Sequence, residues 1–255
     1  MYRRLLLALI AMIPVSCGGS LDSDNTLPTG DVGNPAPAIE KTRSSEPLAQ
    51  TSTGRLMLAQ TDTNTISGRF ELGKHYQRLS PTQPTSSSPD QIEVAEIFWY
   101  GCSHCYTFDP FLESWRSDLP NYVRFIRVPA VWNPLLQIHA RAFYTAEVLG
   151  KSEEMHTSFF REIHVNGNFL DSEAALASFF GQFGVSQEEF QNAYDSFAIH
   201  AKLQRAAELS RRYRVSSVPM VVVNGKYTTS ASEAGDYPTL IELIDELVAI
   251  ETSEN

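Results

Sequence analysis

The sequence predicts an α/β domain in which a sheet is interrupted by a helical insertion. Three observations carry this. An apolar, aromatic-rich strand, Ile92 to Tyr100, runs directly into a Cys-x-x-Cys at Cys102 and Cys105. From Pro134 onward a long stretch shows helical rather than strand periodicity. Beyond it a second apolar run, Pro219 to Val223, meets Asn224-Gly225 and turns back, a strong hairpin signal.

The elements follow in order. Gly68 to Gln77 reads as an edge strand, and Pro81 to Pro89 as a polar connector. Ile92 to Tyr100 is the buried strand. A helix is expected from Cys102 towards Trp115, with a kink at Pro110, which removes a backbone donor inside it. Tyr122 to Val131 is a second strand. Pro134 to Leu149 is a helix with Leu135, Ile138, Ala142 and Thr145 on one face. Glu153 to Ile163 follows, then Glu173 to Phe180 with Ser172 as its N-cap. Ser186 opens a capping box, Ser-Gln-Glu-Glu, for another helix, and a further one spans about Asp195 to Tyr213. After the hairpin, Pro238 to Ile250 places Leu240, Leu243, Ile244, Leu247 and Val248 on one stripe that packs on the sheet.

Upstream of the domain, residues 1–16 read as an export signal. Arg3 and Arg4 supply a positive start, and Leu5 to Val15 an apolar run too short for a relaxed membrane span. Ser16-Cys17 after such a run resembles a bacterial lipoprotein signal, cleaved before Cys17 and lipidated on it, although Pro14 stands where Leu is usual. The alternative is ordinary cleavage nearby, with Cys17 incidental. Either route leads out of the cytosol, to a compartment where disulfides persist. Residues 17–65 are rich in Ser, Thr, Asn, Gly and Pro without sustained periodicity and read as a disordered tether. A flexible coil of about fifty residues reaches roughly 40 Å, enough to hold a domain near a membrane without fixing it. The remainder, 66–255, suffices for one well-cored domain.

The chain carries 20 basic and 30 acidic residues, a formal net charge of −10, which argues against nucleic-acid binding. Signal cleavage would remove Arg3 and Arg4 and leave the rest more acidic still.

Of the three cysteines, only Cys102 and Cys105 fall in the domain. A disulfide between residues three apart removes little unfolded-chain entropy, so the pair is a poor staple and is better explained by its chemistry. At a helix start the two sulfurs differ. Cys102 faces solvent and the positive end of the helix dipole, where unpaired N–H groups favour a thiolate. Cys105, one turn in, is expected to be buried and less ionised. His104 between them can add positive charge or a hydrogen bond to the Cys102 sulfur. Stabilising the reduced, thiolate form makes the disulfide a stronger oxidant. A structural zinc site needs further ligands, and His75, His139, His156, His164 and His200 form no close metal-type pair, so no metal is assigned. Pro219, after Val215-Ser-Ser-Val218, is expected to follow a cis peptide bond packed against the sulfurs. Backbone exposed there could bind an extended substrate peptide. The alternative is an ordinary strand edge in trans.

With these residues in view, the chain resembles the DsbA family of bacterial thiol oxidases over about 66–255. The carriers are Glu96-Ile-Phe-Trp-Tyr-Gly-Cys-Ser-His-Cys-Tyr-Thr-Phe, Val218-Pro219, the run Val-Asn-Gly-Lys-Tyr at 223–227, and the helical insertion. The resemblance implies a thioredoxin fold with an inserted helical subdomain at about 134–200 and no cofactor. It implies disulfide donation to reduced or unfolded Cys-containing exported proteins in the periplasm, by a monomer reoxidised by a DsbB-like, quinone-linked membrane oxidase. Carried over, Cys102 is the attacked and attacking sulfur, Cys105 the resolving one, Val218 and Pro219 the peptide-binding edge. Glu96 is the acid beneath the site that helps move the proton of the buried cysteine; its other reading is an acid at a strand end. Two departures stand out. Ser103 replaces the Pro often found before the His. The family's basic partner to the acid has no clear match: Phe125 falls near that place, with Arg124 and Arg127 beside it. Rival readings are a reductase or isomerase on the same fold, a metal carrier using both cysteines, and a peptide-binding module built on the apolar surface around Trp99 and Tyr100.

Overall fold

The computed structural model describes residues 65, 66 and 68–254. The export signal, Cys17 and nearly all of the expected tether lie outside the described residues.

Two short strands, β1 (Thr65–Ile66) and β2 (Phe70–Glu71), form a hairpin ahead of β3 (Gln77–Arg78). The single edge strand expected over 68–77 is therefore broken. Gly73, at φ 86°, takes a left-handed conformation and turns the chain between β2 and β3. β4 (Ile92–Phe98) is buried at every position and is followed by α1 (Ser103–Ser117), which continues past Pro110. β5 (Val123–Pro129) then lies parallel to β4, as a strand–helix–strand crossover requires.

The helical block comprises α2 (Pro134–Val148), α3 (Ser152–His164), α4 (Glu173–Gly181), α5 (Gln187–Tyr194) and α6 (Phe197–Arg212). Apart from α3, which starts behind Lys151 with no side-chain cap, its helices carry the caps the sequence chemistry favours. Ser172 accepts from Ala175 N, Ser196 accepts from Ile199 N, and Ser186 with Glu189 completes the reciprocal capping box. The expected limit of the insertion near residue 200 falls inside α6, which runs unbroken to Arg212.

β6 (Met220–Val223) and β7 (Tyr227–Thr229) form the hairpin, with Asn224 and Gly225 both at positive φ. A Cβ on Gly225 would stand 2.1 Å from the Gln83 carbonyl oxygen, so glycine is required there twice over. A four-residue helix not foreseen from sequence, α7 (Ala231–Ala234), leads into α8 (Tyr237–Glu254).

The sheet order is β3-β7-β6-β4-β5, so β4 is an inner strand, between parallel β5 and antiparallel β6. Alternation distributes its side chains to two cores. Ile92 and Val94 join Val221, Val223, Phe108, Leu112 and the α8 stripe Leu240, Leu243, Ile244 and Leu247. Ala95 and Ile97 join Phe143, Phe159, Phe160 and the rest of the helical side. The end of β4 thus lies where both cores meet, and the Cys-x-x-Cys follows directly from it.

Candidate active site

The chain leaves β4 at Phe98, passes Trp99-Tyr100-Gly101 and enters α1 with Cys102 as its N-cap, φ −86° and ψ 118°. A Cβ on Gly101 would collide with the Trp99 indole at 2.3 Å, so the indole can lie over this turn only because residue 101 is glycine. The Cys102 sulfur accepts from Cys105 N at 3.4 Å, the role an Asp or Ser oxygen plays at other caps. Both cysteines are free thiols, Cys102 half-buried and Cys105 fully buried.

Their acidities diverge accordingly. The Cys102 thiol is pulled from an ordinary 9.0 down to about 6. Its hydrogen bond with the Cys105 thiol contributes most; burial opposes; the backbone N–H groups of Cys105 and His104 and the charge on His104 add to the drop. Burial pushes the Cys105 thiol well above its usual range, and its hydrogen bond to Cys102 and the charge on Glu96 push the same way.

His104 acts on Cys102 mainly through its backbone. Its imidazole Nδ1 is 3.3 Å from the Tyr237 hydroxyl on α8, and that hydroxyl also donates to the His104 carbonyl at 3.2 Å. Of the two roles expected for the His104 ring, positive charge or a hydrogen bond to the sulfur, the charge contributes to the drop, while the ring's hydrogen-bond partner is Tyr237.

Val218–Pro219 is a cis peptide. The Val218 carbonyl accepts from the Cys102 thiol at 3.4 Å, so this loop closes over the sulfur although 116 residues separate them. Four of the residues singled out from sequence, Cys102, Cys105, Val218 and Pro219, therefore meet at one place.

Glu96 lies on β4 with 2 % exposure. Parallel register sets Arg127 of β5 opposite it, and Arg127 Nε donates to Glu96 at 3.1 Å. The sequence had offered no clear basic partner; register supplies Arg127. Arg124 instead donates to the Ser86 carbonyl. Arg127 also donates to Asp109 at 3.2 Å and Glu113 at 2.6 Å, both on α1. His156 of α3 extends the network, with Nε2 3.0 Å from Asp109 and Nδ1 2.9 Å from the Tyr100 hydroxyl. Asp109, Glu113, His156 and Arg127 were not foreseen as site residues.

One guanidinium thus serves three carboxylates. Burial pushes Glu96 from an ordinary 4.5 up to about 7, against the pull of Arg127 and with the push of Asp109 and Glu113. Burial pulls Arg127 the other way, but the three carboxylates outweigh it and keep it charged. Ligand atoms of Asp109, Glu113 and His156 lie within 4.8 Å of one another, a spacing a cation could use, yet the Arg127 guanidinium already meets the negative charge there.

A profile of the DSBA-like thioredoxin domain family matches residues 118–244. That stretch begins beyond both cysteines, so it bears on the fold more than on the thiols. The chain is 38 % identical over 184 residues to the thiol:disulfide interchange protein DsbA of Azotobacter vinelandii, a match covering 72 % of this chain and 86 % of the relative. The chain belongs to the DsbA family.

A crystal structure of Pseudomonas aeruginosa DsbA superposes with a TM-score of 0.70 at 37 % identity, over 72 % of this chain and 96 % of that one. DsbA from Xylella fastidiosa follows at 0.67 and 31 %, over 71 % and 97 %. The fold is thus the thioredoxin fold with a helical insertion, and the protein is a thiol:disulfide oxidoreductase.

Proposed function

We propose that the protein donates a Cys102–Cys105 disulfide to reduced, cysteine-containing polypeptides exported to the periplasm. The observation that carries this is the asymmetry of the two sulfurs: an accessible helix-capping Cys102 held at about 6, beside a buried Cys105 held high.

In the oxidised protein a substrate thiolate attacks the Cys102 sulfur. The Cys102–Cys105 bond breaks, a mixed disulfide forms, and Cys105 leaves with the electron pair and takes up a proton. Glu96, pushed up to about 7 and close enough for its charge to act on Cys105, is suited to supply it. A second substrate thiolate then attacks the substrate sulfur, and Cys102 leaves as a thiolate, a good leaving group at its low pKa. Two substrate thiols become one disulfide, two electrons pass to the protein, and two protons are released or transferred. The Val218–Pro219 edge beside Cys102 holds the substrate backbone. A DsbB-like, quinone-linked membrane oxidase takes the two electrons back. The protein acts as a monomer, held near a membrane by a lipid on Cys17 through the tether.

The deciding test is the reduction potential of the pair in the full chain, by equilibration with glutathione. A value well above the roughly −270 mV of thioredoxin supports donation; a value near it reverses the electron flow and makes the protein a reductase. Cys102→Ser is expected to abolish turnover, and Cys105→Ala to accumulate mixed disulfides visible on non-reducing gels. Oxidase activity retained by Cys102→Ser would overturn the assignment of the attacking sulfur.

A further inference from the structure

The end of α3 and the segment that follows it are fixed to the active-site turn, each at one point. His164 Nε2 donates to the Tyr100 carbonyl at 2.8 Å, and its ring stacks on Tyr106 at 4.8 Å with an interplanar angle of 6°. The Trp99 indole N–H donates to His139 Nδ1 at 2.9 Å, which leaves the proton of this buried, neutral imidazole on Nε2, 3.0 Å from the Phe169 carbonyl. Trp99 in turn accepts from Cys102 N through its carbonyl at 3.0 Å. A short chain of contacts therefore runs from the reactive cysteine to Phe169.

The segment is also braced from within. Both oxygens of Glu162 are occupied, by Asn166 at 2.7 Å and Asn168 at 2.9 Å. Leu170 takes a left-handed φ of 50°, unfavourable for a branched side chain, while its own side chain is completely buried. That anchor turns the preceding residue outward. Phe169 is 63 % exposed and Val165 58 %. The loop thus fixes the Phe169 backbone through His139 and Trp99 to the active-site turn and leaves the ring in water. Rigid apolar groups fixed in place before binding cost little further entropy when a partner covers them.

We propose that Phe169, flanked by Val165, is a docking contact for the polypeptide that flanks the reacting cysteine of the substrate, on the side of Cys102 formed by the helical insertion. The occupant follows from the reaction. A mixed disulfide at Cys102 obliges the substrate chain to cross the surface around that sulfur, and the Val218–Pro219 edge binds backbone, which is blind to side chains. Phe169 supplies an apolar contact that favours unfolded chains with exposed hydrophobic residues near the cysteine. The inference rests on the disulfide-donor reading above.

The test compares two electron donors with the full-length protein. One is a reduced, unfolded polypeptide such as reduced ribonuclease; the other is dithiothreitol, which has no flanking chain to lay along Phe169. Phe169→Ala is expected to lower kcat/KM for the polypeptide about tenfold, as loss of an aromatic anchor does, and to leave the dithiothreitol rate unchanged. Phe169→Leu is expected to restore most of the loss. A polypeptide rate equal to that of the unaltered protein overturns the proposal. So does a parallel fall in both rates, which would make the loop a support for the turn and nothing more. Should the unaltered protein reduce rather than oxidise polypeptides, the donor reading fails by itself. The same ratio, taken with a disulfide-bonded polypeptide and oxidised dithiothreitol, then decides the Phe169 contact.

Discussion

Arg127 is the residue on which the buried polar network turns. Its side chain is 8 % exposed and is shared by Glu96, Asp109 and Glu113. Burial, with the nearby charges of Asp109 and Glu113 adding to it, raises Glu96 to about 7 against the pull of Arg127. Arg127→Met fills similar volume but removes the cation. We expect it to cost about 3–5 kcal/mol of stability, measured by urea unfolding of the oxidised protein, because charges are left buried without a partner. Adding Glu96→Gln to that variant is expected to recover part of the loss; simple additivity would mean the pair is not coupled. Glu96 was legible only through the family resemblance, which implies an acid at that place beneath the site. Its partner was not. Arg124 and Arg127 are three apart, so on a strand they point to opposite faces, and only the register of β5 against β4 decides between them. Asp109 and His156 were hidden for the same reason: they lie on different helices, and no local pattern announces that these meet beneath a strand.

At the level of the element, α1 makes a helix cap into a chemical group. The sulfur of Cys102 occupies the N-cap and accepts from the Cys105 N–H, while the His104 N–H helps to lower its pKa. Ser103, the first helical residue, lends it no N–H. The backbone of Cys102 is extended, as the residue before a proline prefers. Ser103→Pro at this first helical position is therefore expected to stabilise the protein by about 0.4–1 kcal/mol through the unfolded state. That corresponds to roughly 2–4 °C in Tm by calorimetry per kcal/mol for a domain of this size. The pH profile of Cys102 alkylation is expected to keep its midpoint near 6, since its donors remain. A large shift in that midpoint would mean the turn geometry, not the donor set, controls the thiolate. Helix starts of this kind were readable because Ser172 and Ser186 are local signals acting within three residues. The pieces missed, broken β2 and β3 and the single-turn α7, are too short to develop a period, and tertiary contacts alone decide them.

For the molecule as a whole, oxidation state and pH act on stability through groups that meet at the end of β4. Glu96 is raised in the folded protein, from 4.5 to about 7. Its contribution is fully present below about pH 4.5 and is lost as the pH rises through 7, in the oxidised and reduced forms alike. Cys102 is lowered, from 9.0 to about 6, and only the reduced form has this thiol. Its contribution is present above the ordinary thiol range and is lost as the pH falls through 6. Cys105, raised by burial, stays protonated across the same window and adds no slope there. The stability of the reduced form minus that of the oxidised form is therefore expected to grow between about pH 5 and about pH 8, since the Glu96 contribution largely cancels in the difference. Urea unfolding of both forms across this range measures it, and Cys102→Ser in the reduced form is expected to flatten the slope. Because the disulfide gains oxidising power as the reduced fold gains stability, the same slope has to appear in the reduction potential of the folded protein relative to that of the unfolded chain at the same pH. If the two forms ran parallel in pH, the thiolate at the helix cap would not be what drives disulfide transfer, and the oxidising character would have to come from strain in the oxidised form instead.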